Sequence, residues 1–200
     1  MDRKILLVGL GTLALVILAT AAAYFTSQNS QLRGSVIAPP LPASEILLTD
    51  QNGNPFRLSD YRGRVVLLFF GYTYCPDVCP ATMAELRAAR AMLKPEQAAR
   101  VQVVFITVDP ARDTPASIQE YVARFDPTFL GLSGTEQELS KVWQAYGVFR
   151  ELGAPTASGN YEVSHTARVY AVDVNGDLSL SFAFGTPPTD IANDLKILLK

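Results

Sequence analysis

Two kinds of apolar pattern run along the chain, and they predict different elements. Val65 to Phe70 is an unbroken apolar run and Val101 to Val108 is nearly one, as expected of central parallel strands covered on both faces. Between them, Ala81 to Lys94 puts Met83, Leu86, Ala89 and Leu93 towards one side and Arg87, Arg90 and Lys94 on another. That is an amphipathic helix suited to the crossover between parallel strands. Thr114-Pro115 opens a second helix carrying Ile118, Tyr121, Val122 and Phe125, with Pro115 in the first turn, where a missing N–H costs nothing. Thr135 and Glu138 make a capping box ahead of Leu139, Val142, Trp143 and Tyr146, a third helix.

Alternation takes over at both ends of this unit. Glu45 to Thr49 and Pro55 to Leu58 flank Asn52-Gly53, a pair suited to the positive-φ turn of a β-hairpin. After a polar, Gly-rich stretch from Gly153 to Asn160, Ala167 to Val174 and Leu178 to Phe184 read as a second hairpin turning at Asn175-Gly176-Asp177. In its last strand Leu178, Leu180, Phe182 and Phe184 alternate with Ser179, Ser181 and Ala183, the pattern of a sheet edge. Thr186-Pro187-Pro188 starts a final helix with Ile191, Leu195 and Leu198. The order is βαβ, an extra helix, then ββα, an α/β fold.

The amino terminus is of another kind. Ile5 to Phe25 carries no charge and follows Arg3 and Lys4; as a helix it would reach roughly 31 Å, enough to span a bilayer. Only Arg33 is basic between that run and the folded region, so the positive-inside rule puts everything after Phe25 outside the cytoplasm. Residues 1–25 are therefore expected to be a transmembrane anchor. A cleaved signal, with Ala19, Ala21 and Ala23 near its processing site, is the competing reading. Residues 26–44, rich in Ser, Gln, Asn, Gly and Pro, read as a flexible linker, and 45–200 as the working domain. The run lacks the Arg- and Ser-rich amphipathic character of an organelle presequence, which favours a bacterial envelope: single pass in the cytoplasmic membrane, domain periplasmic.

Composition changes little in this picture. With 48% hydrophobic and 18% charged residues and a net charge of −2, the chain is globular and offers no basic surplus for nucleic acid. The two cysteines change it more. Both lie in Thr73-Tyr74-Cys75-Pro76-Asp77-Val78-Cys79-Pro80, between a buried strand and the crossover helix. Open α/β sheets place ligands at such loops, and a helix amino terminus favours thiolate over thiol. A structural disulfide is the plainer reading, but a ring of about five residues stabilises by roughly 2 kcal/mol, against almost 5 for a loop of about a hundred. The sole histidine, His165, sits just ahead of Ala167 to Val174. In a thioredoxin-like βαβ…ββα order that segment faces the cysteine loop. A lone histidine is by default an ordinary polar group at a strand end. Two thiolates and an imidazole converging there would form a soft set suited to three-coordinate Cu(I), whereas zinc would want a fourth ligand.

Cys75-Pro76-Asp77-Val78-Cys79-Pro80, Val108-Asp109-Pro110-Ala111-Arg112-Asp113-Thr114-Pro115, and His165 ahead of Tyr170-Ala171-Val172-Asp173 together resemble the SCO/SenC family of copper proteins over roughly Glu45 to Lys200. The resemblance implies a thioredoxin-like fold with an added hairpin and helix. It also implies copper, as Cu(I) or Cu(II), held by Cys75, Cys79 and His165. The role implied is delivery of copper to the CuA site of cytochrome c oxidase, or reduction of that site's cysteines; the partner would be the CuA-bearing subunit or another copper chaperone. The family often has Asp before the histidine where this chain has Ser164. Asp77 and Asp109 remain as electrostatic partners near the site, although Asp109 and Asp113 could equally shape a turn and cap a helix.

Three functions compete on these residues. A metallochaperone needs only the ligand set. A thiol-disulfide oxidoreductase would use Cys75 and Cys79 in attack and resolution. Generic members, however, carry C-x-x-C and a cis-proline before the facing strand, where this chain has C-x-x-x-C and Ser164-His165-Thr166. A peroxidase of the peroxiredoxin class has Thr or Ser three residues before its cysteine, and here Tyr72 and Pro76 stand there.

Overall fold

The computed structural model describes residues 12–20, 32–156 and 160–200. The chain divides into two units, residues 1–33 and 34–200. In the first, residues 12–20 are helical with exposed side chains. The remainder of the run from Ile5 to Phe25 lies outside the described residues, and among the described residues no helix is long and apolar enough to cross a membrane.

The second unit is built on one eight-stranded sheet in the order β1-β10-β9-β4-β5-β6-β2-β3. Its strands are β1 (Ser35–Pro42), β2 (Leu47–Asp50), β3 (Pro55–Arg57), β4 (Val65–Gly71), β5 (Val101–Thr107), β6 (Leu130–Ser133), β9 (Arg168–Val172) and β10 (Asp177–Ala183); β7 (Arg150–Leu152) and β8 (Val163–His165) form a separate two-stranded ribbon. The helices are α1 (Val78–Ala91), the single turn α2 (Pro95–Ala98), α3 (Pro115–Ala123), α4 (Glu136–Ala145) and α5 (Pro188–Leu198). The apolar runs are central and parallel as expected: β4 pairs with β5 from Val65↔Val101 to Gly71↔Thr107, and every residue of β4 is buried. Phe69 and Phe105 are register partners and share one face with Tyr121 of α3, while Phe70 turns to the other against Tyr146 and Tyr170.

The local signals act where the sequence puts them. Thr135 and Glu138 exchange the two bonds of the capping box, and the Thr114 hydroxyl accepts from the Ser117 N–H. Gly53 takes φ +82° in the β2–β3 turn, where the Asp50 carboxylate accepts from the N–H groups of Asn52 and Asn54. The crossover helix begins three residues earlier than its apolar stripe implied, at Val78, so Cys79 and Pro80 lie inside its first turn. No intrahelical N–H bond is lost there, so Pro80 is tolerated.

Two expectations are corrected. The stretch read as linker is not all linker: Ser35–Pro42 is a strand antiparallel to β10, with its register broken between Val36 and Leu41 around Pro39 and Pro40. Prolines are admissible there because β1 is at the sheet edge, with one side unpaired. In consequence β10 is not the edge, and Ser179 and Ser181 are buried at 7% exposure rather than wetted. The Ser179 hydroxyl donates to the Ala171 carbonyl, and the Ser181 hydroxyl accepts from Arg168. Three strands carried no readable pattern: β6, only four residues long with a glycine in it, and β7 and β8, which flank the Gly-rich stretch.

Gly131 in β6 is required by space, since an added Cβ would stand 2.1 Å from Cγ2 of Ile118 in α3. Gly131→Ala is expected to lower unfolding stability by about 1–3 kcal/mol, the usual cost of overpacking a filled core. A urea melt of the two proteins checks this, and an unchanged midpoint would show that α3 can retreat from the sheet freely.

Candidate metal centre

The parallel strands β4 and β5 end side by side, and the chemistry gathers at their carboxyl ends. Leaving β4, the chain passes Tyr72 and enters the cysteine loop, which a buried carboxylate fixes in place. Asp113, 2% exposed, accepts from the Thr73 N–H at 3.2 Å, the Thr73 hydroxyl at 2.6 Å and the Thr107 hydroxyl at 2.6 Å. Burial lifts its carboxyl above the ordinary range although those bonds pull the other way. The loop is thereby tied to the end of β5.

Within it the Cys75 sulfur lies 3.4 Å from the Cys79 N–H, one of the unpaired donors of the α1 amino terminus. Cys79, in the first turn, is wholly buried. His165 reaches in from the end of β8, its Nε2 3.4 Å from the Cys79 sulfur. Its ring meets Tyr72 edge-on at 5.9 Å and Phe69 at 6.3 Å. Nδ1 lies 3.2 Å from the Thr166 carbonyl, so Nε2 is the ring nitrogen left facing the sulfurs. The Cys75, Cys79 and His165 donor atoms all fall within 4.8 Å of one another.

Both cysteines are reduced, and they are electrostatically unequal. The Cys75 thiol is brought down to about 4, chiefly because the Cys79 S–H donates to its thiolate. Burial opposes this, and His165 and the N–H groups of Cys79 and Asp77 add to the lowering. Cys79 is pushed up by the same shared bond, by burial and by the neighbouring negative charge. The pair therefore holds one proton between two sulfurs, a unit of net charge −1 that titrates jointly. A soft monovalent ion can take the place of that proton. Cys75, the half-exposed member, opens on a cleft of about 330 Å³ lined by Tyr72, Pro76, Asp77, Glu162 and His165.

The two acidic candidates stand differently. Asp77 stands at the N-cap position of α1 without a side-chain capping bond, is exposed, and serves Cys75 through its backbone N–H. Asp109 is fully buried and its carboxylate is taken up by Arg112 and the Tyr161 hydroxyl. Neither carboxylate belongs to the ligand cluster. Ser164 lies exposed on β8 opposite Glu151. Sequence reasoning passed over Tyr72, Arg112 and Tyr161. Arg112 was in a quoted motif, but its contact with Tyr161 joins segments whose separation no local pattern reveals.

Cysteines at a strand-to-helix turn, with an imidazole brought against them at the carboxyl ends of the central strands of a thioredoxin-like sheet, define the class: an α/β protein with a soft-metal thiol site. The sequence profile of the SCO1/SenC family matches residues 41–200, and the chain belongs to that family. It is 38% identical over 134 residues to a Stutzerimonas stutzeri protein, spanning 67% of this chain and 65%, just under two thirds, of that one. Among solved structures it is similar to copper-bound ScoI of Bradyrhizobium japonicum, with TM-score 0.71, 39% identity, and 78% of this chain and 98% of that one covered. Apo Sco1 of Thermus thermophilus gives TM-score 0.71 and 39% identity over 84% and 94% of the two chains.

The unequal sulfurs make a direct prediction. Treated with iodoacetamide at pH 6, the reduced native protein should be modified at Cys75 and spared at Cys79, as peptide mapping would show. Because the thiolate is the reacting form, the rate should rise with pH through about 4 and level off above. A rate that climbs only near the ordinary thiol value of about 8.5, or first attack at Cys79, would contradict the shared-proton description.

Proposed function

We propose that the domain is a copper carrier that binds Cu(I) through the Cys75 and Cys79 sulfurs and Nε2 of His165, and passes it on by ligand exchange. The recipient is the CuA site of cytochrome c oxidase, reached directly or through another copper chaperone. One observation carries the reading: two sulfurs and one imidazole nitrogen lie within 4.8 Å of one another. Cu(I) accepts such a soft three-atom set, and its single positive charge replaces the proton of Cys79. Family membership, and the copper named for the Bradyrhizobium relative, support the choice of metal. Transfer needs an accessible ligand, which Cys75 provides at the mouth of its cleft. The uncharged run from Ile5 to Phe25 supports anchoring in the cytoplasmic membrane of a bacterial cell, with the domain in the periplasm. A cleaved signal would export the same domain.

The inequality of the sulfurs favours a second reading, reduction of a partner's metal-site disulfide. The Cys75 thiolate attacks one sulfur of that disulfide and the other leaves as thiolate. Cys79 then loses its proton and attacks the Cys75 sulfur, releasing the second partner thiolate. The partner gains two electrons and the pair here becomes a disulfide.

Anaerobic titration of the reduced protein should give one Cu(I) per chain. Cys75→Ser and Cys79→Ser should abolish tight binding, and His165→Ala should weaken it by at least about tenfold. Unchanged stoichiometry and affinity in the histidine variant would remove His165 from the ligand set. Rapid reduction of generic disulfides, insensitive to copper and to His165→Ala, would put the second reading first.

A further inference from the structure

His165 does not sit on the main sheet. It closes β8, whose ladder partner among the described residues is β7, in a ribbon of three register pairs: Arg150↔His165, Glu151↔Ser164 and Leu152↔Val163. A two-stranded ribbon is at best marginal alone, so its seat on the domain depends on side chains. Towards its tip these come from one cluster. Asp109, just past β5, is 0% exposed, and its carboxylate accepts from Nε of Arg112 and, at 2.7 Å, from the Tyr161 hydroxyl. Nη1 of Arg112 donates to the Tyr161 carbonyl at 2.8 Å, and the guanidinium carbon stands 3.6 Å from the centre of the Tyr161 ring. Tyr72 continues the contact: the guanidinium carbon is 5.6 Å from its ring, which also meets His165, and its hydroxyl oxygen lies 3.4 Å from the Val163 N–H. At the opposite end of β7, Arg150 reaches the Val108 carbonyl and Glu136.

We infer that Asp109, Arg112 and Tyr161 form a clasp that seats the β7–β8 ribbon and thereby sets how firmly the site retains its ion through the third ligand, His165. These are positioning residues. Asp109 and Arg112 are fixed to the rigid end of β5 by the Thr107 hydroxyl, which accepts from the Asp109 N–H, and by the turn in which the Asp109 carbonyl accepts from the Arg112 and Asp113 N–H groups. Tyr161 travels with the ribbon. Opening the clasp releases His165 while leaving Cys75 and Cys79 on their own loop, so the site passes from three donors to two. A carrier that must both hold and surrender its ion is served by such a step.

The inference rests on the copper-carrying reading, and the test separates the two. In the full chain, solubilised in detergent, Tyr161→Phe removes the hydroxyl bond to Asp109 and keeps the ring over Arg112. Release of Cu(I) to a chelator should quicken about tenfold, the scale of one lost hydrogen bond to a charged group. In a His165→Ala background the same change should alter release by less than about twofold, because the cycle isolates what acts through the histidine. Arg112→Lys, which keeps the charge but not the fork, should act in the same direction as Tyr161→Phe. In the apo protein the only imidazole in the chain gives a second readout: its NMR signals should shift and lose their contacts to the Tyr72 ring in Tyr161→Phe. Equal acceleration in both backgrounds would overturn the clasp, as would imidazole signals unmoved by the variant. A parent protein that binds no copper would defeat the functional reading, and the imidazole signals would still decide whether the clasp seats the ribbon.

Discussion

The structure depends on the parallel pairing of β4 with β5. Seven register pairs, every residue of them buried except Gln102, make the least deformable part of the domain, and both strands stop at the same level, Gly71 opposite Thr107. The segment leaving one strand is thus held at a fixed distance from the segment leaving the other. After β4 comes the cysteine loop; after β5 come Asp109, Arg112 and Asp113. The Asp113 carboxylate links these sets, accepting from Thr73 in the loop and from the Thr107 hydroxyl, which in turn accepts from the Asp109 N–H. Gly71 shows how tight the junction is. A Cβ there would lie 2.9 Å from Phe105 and 3.0 Å from the Cys79 sulfur, so core packing reaches the candidate metal site without an intervening residue.

The electrostatics of the site arise from this placement. A thiolate at the start of a helix is stabilised by unpaired N–H groups, but a second one a turn away and wholly buried would face both desolvation and repulsion. One proton retained between the sulfurs resolves the conflict. The unloaded pair is then stable without metal, with Cys75 ready to bind and Cys79 conditional on the proton leaving. Burying a further positive ion at such a site costs little, since it arrives as the proton departs and the net charge of the pocket is unchanged. The same asymmetry gives a half-exposed nucleophile and a buried resolving thiol, which is why carrier and reductase chemistry fit one set of atoms.

Much of this was legible in the sequence because the deciding signals are local. The unbroken runs at Val65 and Val101, the Thr135–Glu138 box, Pro115 and the Asn52-Gly53 turn each specify an element from within a few residues. So did the cysteine loop, whose position between a buried strand and a helix implied its chemistry. The approach of His165 to the cysteines was expected only from element order combined with family likeness, since no spacing relates it to them. The contacts that could not be read depend on distant partners. Ser35–Pro42 has the composition of a tether and becomes a strand only because β10 offers a free edge. Ser179 and Ser181 carry an edge pattern and are buried because that strand then covers them. Tyr161 closes a polar, Gly-rich stretch, and its bond to Asp109 spans 52 positions.

These illegible contacts are also the ones that separate holding a metal from giving it away. The two sulfurs belong to the rigid junction and share its permanence: moving them would mean disturbing β4, β5 or α1. The imidazole belongs to a ribbon with three register pairs of its own and a small number of side-chain attachments. Structure of low local stability is where motion is least costly. A site with all three donors on rigid elements would bind more firmly and release more slowly, because no intermediate with fewer donors would be accessible without partial unfolding. Placing the imidazole on a weakly tied ribbon would give a stepwise route for exchange. Were an ion held by all three donors, the imidazole would be the one withdrawn at least cost, and the two sulfurs, fixed to the rigid junction, the last to yield it.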